Sequence, residues 1–119
     1  MEKKQIKIII SNYLKRLGVA TDVHGYYYIM SGILLLIEDM SLIGKLTTKL
    51  YPEIAKEFGT TPSKVERAIR HAIERGFERA DTEVITKVFG YSYSKDRGKA
   101  TNSEFLTTVA DYIKIVHEV

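Results

Sequence analysis

The chain has 119 residues, 45% of them hydrophobic, and no cysteine, which suits one domain around one core and excludes disulfide staples and thiolate metal sites. Against 15 Asp and Glu stand 18 Lys and Arg, a formal charge of +3; this is no histone-like polycation, and any affinity for nucleic acid must come from local clustering. With no apolar signal segment at the N-terminus, the chain fits a reducing cytoplasm.

Met1 to Leu17 reads as a basic amphipathic helix with an apolar stripe of Ile6, Ile9, Ile10, Tyr13, Leu14 and Leu17, ended by Gly18. Its lysines suit a surface helix docked on a core better than one lying on lipid. Ala20 to Gly25 is a short connection. Tyr26 to Met40 is apolar all round at Ile33 to Ile37, yet too short and too soon followed by Glu38 and Asp39 to span a bilayer. It therefore reads as a central buried helix, with a β-strand the alternative for Tyr26, Tyr27 and Tyr28. Ser41 to Leu50 gives a short helix with Leu42, Ile43 and Leu46 apolar.

The next stretch, YPEIAKEFGTTPSKVERAIRHAIER from Tyr51 to Arg75, has the pattern of a helix, a tight turn and a second helix. Ile54, Ala55 and Phe58 share a face of the first. Gly59 stops it, because glycine enters the left-handed conformation without a Cβ penalty. Thr61 is placed as N-cap of the second helix and Pro62 as its first residue, where a missing N–H costs nothing. Along that helix Val65, Ala68, Ile69, Ala72 and Ile73 recur at helical spacing and belong to the core. Ser63, Lys64, Glu66, Arg67, Arg70, His71 and Glu74 point away. This outer face carries bidentate donors for guanine (Arg67, Arg70), a point charge (Lys64) and an acceptor for cytosine N4 (Glu66). The competing reading is a solvated face whose Lys, Arg and Glu only stabilise the helix as pairs.

Beyond Arg75, Gly76 loosens the helix end and Phe77 packs back. A new helix starts at Asp81, capped by Asp81 or Thr82, with Val84, Ile85, Val88 and Phe89 buried and Gly90 as its stop. Tyr91 to Ala100 has no helical period and holds Lys95, Arg97 and Lys99 against Asp96. It is either a phosphate-neutralising wing or a plain surface loop. The last helix begins at Asn102 or Ser103 with Thr101 or Asn102 as cap, and its stripe is Phe105, Leu106, Val109, Tyr112, Ile113 and Val116. No Gly-rich phosphate loop, HExxH or nucleophile elbow is present. His71 and Glu74 lie one turn apart without a third ligand, and no catalytic group or cofactor is assigned.

Ser63 to Ile73, reading SKVERAIRHAI, resembles the recognition helix of the stage-zero sporulation protein A family, the response regulators of endospore-forming bacteria. Leu17-Gly18-Val19, Gly25-Tyr26, Leu50 to Lys56, Phe89-Gly90-Tyr91, Thr101 to Phe105 and Val109-Ala110-Asp111 follow in the family's order. The resemblance runs from about Ile6 to Ile113 and is to the C-terminal DNA-binding effector domain alone. It implies an all-α fold of about six helices containing a helix-turn-helix. It also implies binding of double-stranded DNA at boxes of the TGTCGAA type upstream of sporulation-phase promoters, activating some genes and repressing others.

Carried over residue by residue, the resemblance makes Lys64, Glu66, Arg67, Arg70 and His71 base readers. Ser63, Lys95, Arg97, Lys99, Asn102 and Ser103 become backbone contacts. Glu78, Arg79, Asp81, Glu83 and Lys87 become the surface for the sigma subunit of RNA polymerase. Lys64 stands where the family commonly has arginine, and a lysine cannot reproduce the planar bidentate fork. Ala100 stands where relatives have proline. The helices from Lys4 to Val116 leave no room for the family's receiver domain, so the expectation is a single domain, monomeric in free solution, with a tandem dimer on DNA as the form at paired boxes. A helical protein-interaction module is the alternative from another class.

Overall fold

The computed structural model describes residues 1–90 and 99–119. Among them there are six α-helices and no strand: α1 Lys3–Arg16, α2 His24–Glu38, α3 Tyr51–Phe58, α4 Pro62–Arg79, α5 Thr82–Phe89 and α6 Asn102–Val116. The all-α expectation holds, and the strand alternative for Tyr26 to Tyr28 does not: all three residues lie in α2.

The hydrophobic run of α2 makes it the hub. Ile33, Leu34, Leu36 and Ile37 are buried on different sides of the helix, and α2 packs on α1, α3, α4 and α6. α2 begins at His24, two residues earlier than the apolar run suggests. Its start is governed by a close approach. A Cβ on Gly25 would lie 2.5 Å from the Ala68 carbonyl oxygen and 2.7 Å from the Ala72 Cβ, so only glycine lets α2 rest on α4 there. This explains why Ala68 and Ala72, both small, face that side of α4.

Three further parts of the chain differ from the expectation. The single helix expected over Ser41 to Leu50 is instead a 3₁₀ turn at Met40–Leu42, a break at Gly44 (φ +81°) and a π turn at Leu46–Leu50 that runs into α3. Asp39 starts the first turn by accepting from Ser41 N at 3.0 Å. Leu46 and Leu50 are buried while Ile43 is exposed, so burial of the two leucines, with Ile43 left out, goes with the wider π turn. α4 continues through Gly76 to Arg79. Gly76 does not loosen the helix; it is buried, and a Cβ there would lie 2.9 Å from the Leu17 carbonyl oxygen. It is the contact point for the end of α1. Finally, Phe58 and Val116, assigned to apolar stripes, are 40% and 49% exposed. Phe58 sits edge-on to the Tyr28 ring at 5.2 Å.

Opposite α2, Phe77, Phe89 and Phe105 close the core under α5 with ring centroids 5.7, 6.1 and 5.9 Å apart. This cluster brings α4, α5 and α6 together and holds α4 from beneath. Ile69 and Ile73, at 0% and 1% exposure, fix its buried side; truncation of such a side chain costs about 2–5 kcal/mol.

Candidate nucleic-acid interface

α3, the turn Gly59–Thr61 and α4 form the helix-turn-helix. Gly59 takes φ +65° and ψ +41°, the left-handed cap expected of it. Thr61 Oγ1 accepts from Lys64 N at 3.3 Å, a cap of the kind that contributes about 1 kcal/mol. Ala55 and Val65 are buried at the junction, and the small alanine lets α4 approach α3.

With its buried face held by the core, α4 turns the other face outward. Ser63, Lys64, Arg67, Arg70, His71 and Arg75 are exposed, and Glu66 and Glu74 are half-buried. Arg67 lies at the middle of the outer face, and among the described residues it makes no ion pair, nor does Lys64. Arg70 Nη1 meets Glu66 Oε1 at 2.7 Å in an i,i+4 pair, and Lys99 Nζ meets Glu74 Oε1 at 3.4 Å. Both pairs are exposed enough to be worth only a few tenths of a kcal/mol, up to about 1. Exchanging either carboxylate for a phosphate or a base edge is therefore cheap.

One predicted backbone contact is placed differently. Asn102 Nδ2 donates to the Glu66 carbonyl oxygen at 3.1 Å and lies 3.2 Å from the Tyr51 hydroxyl. Its amide points inward, tying the start of α6 to α3 and α4, and is not free for a phosphate. Burial pushes the Tyr51 phenol up, and the bond from Asn102 offsets part of this. Ser103 and Lys99 are exposed on the same side. Thr101 and Glu104 close a capping box that fixes this end of α6. Lys95 and Arg97 lie outside the described residues.

The surface assigned to the polymerase divides in two. Arg79 Nε donates to the Gly18 carbonyl oxygen at 2.8 Å, and Asp81 caps α5 through Glu83 N while meeting Arg16 at 3.3 Å. The N–H of Glu83 and then the Arg16 guanidinium hold the Asp81 carboxyl below its ordinary range. These two residues brace α1 against α4 and α5. Glu78, Glu83 and Lys87 are exposed and leave their side chains available.

The family model described as sporulation initiation factor Spo0A, C-terminal, matches residues 10–113. The chain belongs to that family. The Spo0A C-terminal family is the DNA-binding effector domain of a sporulation regulator, so the outward face of α4 belongs to a DNA-binding domain. Among the described residues no group of three His, Asp or Glu side chains could hold a metal, and no helix is long and apolar enough to cross a membrane. Two features of the interface escaped the sequence: the inward turn of Asn102, and the position of His24 beside His71 and Arg75 in one groove. Neither leaves a local signal, since the partners are tens of residues apart.

Proposed function

We propose that this chain is a cytoplasmic, sequence-specific regulator of sporulation-phase transcription that lays α4 in the major groove of a TGTCGAA-type box. The observation that carries this reading is Arg67: it stands exposed at the centre of a helix face whose reverse side is locked into the core. Lys64 and His71 flank it, and Arg70 and Glu66 reach bases by opening their mutual pair. Ser63, Lys99 and Ser103 position the helix on phosphates, which fixes register without reading sequence. Glu78, Glu83 and Lys87 offer the mixed-sign rim of a protein contact, suited to the polymerase sigma subunit. The domain is monomeric in free solution.

A titration of box-containing and scrambled duplexes over a salt series tests the reading. Steep loss of affinity with salt together with a lasting preference for the box is expected. Equal binding of both duplexes would leave a protein-interaction module as the better account.

A further inference from the structure

α4 presents two flanks on either side of Arg67, because successive residues turn by about 100° around the helix. Glu66, Arg70 and Glu74 line one of them, next to Lys99 and Ser103 at the start of α6. Ala68, His71, Ala72 and Arg75 line the other, next to Asp22, Val23, His24 and Gly25 at the start of α2. The major groove is about 12 Å wide and a helix with its side chains spans roughly 10–12 Å. A helix seated there brings its two flanks against two different sugar-phosphate strands.

We propose that the groove between the start of α2 and α4 takes a backbone phosphate, on the strand opposite the one met by Lys99 and Ser103. His24, His71 and Arg75 are all exposed there. The His24 imidazole N–H and the Arg75 guanidinium fork are suitable donors for phosphate oxygens, with His71 at the edge of the groove remaining on the base-reading face. The donors come from two elements whose relative placement is rigid: Gly25 abuts the backbone of Ala68 with no room for a Cβ, which holds the neighbouring His24 against α4. Asp22, exposed on the same rim, opposes the phosphate and weakens the contact. This rests on the DNA-binding reading above, and adds to it a second strand contact made by α2.

His24→Ala, Arg75→Ala and Asp22→Asn, made in the full chain, test it against box and scrambled duplexes over a salt series, with Arg67→Ala as reference. These side chains are solvent-exposed, and unchanged thermal melts are expected for all three. His24→Ala and Arg75→Ala should weaken both duplexes by the same factor, and Arg75→Ala should lower the salt slope by about 1. Asp22→Asn should strengthen both, an effect that a purely structural role would not produce. Unchanged affinity and slope for His24→Ala and Arg75→Ala, with Arg67→Ala still losing discrimination, overturns the phosphate groove and leaves the DNA reading standing. Loss of box preference in Arg75→Ala would make Arg75 a base reader and overturns it too. If the unaltered chain shows no preference for the box, the DNA reading itself fails, and the groove with it.

Discussion

Asn102 donates from its side-chain amide to the carbonyl oxygen of Glu66, 36 residues earlier, at 3.1 Å. The acceptor lies on the recognition helix and the donor is the first residue of α6, so the two helices that flank the interface are set by one amide. Its second contact, at 3.2 Å from Tyr51 Oη, adds α3. Asn102→Ala is expected to destabilise the fold by about 1–3 kcal/mol, since it leaves partly buried acceptors without a donor. Denaturant unfolding measures this directly. A loss under a few tenths of a kcal/mol would mean that water replaces the amide.

Base reading and backbone positioning separate by their dependence on sequence. Arg67→Ala should cost about 1–3 kcal/mol on the box and flatten discrimination, whereas Lys99→Ala should weaken all duplexes alike and lower the salt slope by about 1. Among the described residues Lys99 gives up an exposed pair with Glu74, so its folded stability should be nearly unchanged. Equal, sequence-independent losses in both variants would remove α4 from the role of reader.

Charge reversal on α5 addresses the polymerase contact. Glu83→Lys leaves the Asp81 cap in place, because Glu83 contributes its backbone N–H and not its side chain. Promoter activation in a reconstituted transcription assay should fall while DNA affinity stays within about twofold. Undiminished transcription would count against the contact.

Acid should act partly through Asp81. Its carboxyl is held below the ordinary value first by the Glu83 N–H and then by Arg16, so the folded state prefers the charged form. The stability this contributes is present above the unfolded-state value, about 3.9, and is lost as pH falls through the lower folded value. Asp81→Asn should therefore lower the denaturation midpoint near neutral pH and show less further loss on acidification than the unaltered chain. Parallel pH profiles for the two proteins would rule out this linkage.

Much of the interface was legible in the order of residues. Gly59, Thr61 and Pro62 act through their own backbone conformations, so the stop of α3 and the start of α4 could be placed before any tertiary contact was known. The two faces of α4 follow likewise from the helical period, which assigns Val65, Ile69 and Ile73 inward and Arg67 outward wherever the helix docks. Gly76 shows where such reasoning stops. By propensity it loosens a helix, but in the fold it is where the end of α1 meets α4, and packing outweighs a local penalty of about 1 kcal/mol.

Periodicity along α2 established a buried helix from its own composition; that its first turn lies beside His71 and Arg75 depends on Gly25 meeting Ala68, a contact across 43 residues that no local pattern encodes. Asn102 is the same case: its type suits a cap, a phosphate contact or an internal bond equally, and only the arrival of Tyr51 and Glu66 beside it decides among them. The sequence alone thus determined the six main helices and the two faces of α4, which depend on residues a turn apart, but not the turns over Met40 to Leu50 or the exposure of Phe58 and Val116. The tertiary structure decided which flank of α4 meets which neighbour and which polar groups remain free for DNA, because those depend on where distant backbones are allowed to touch.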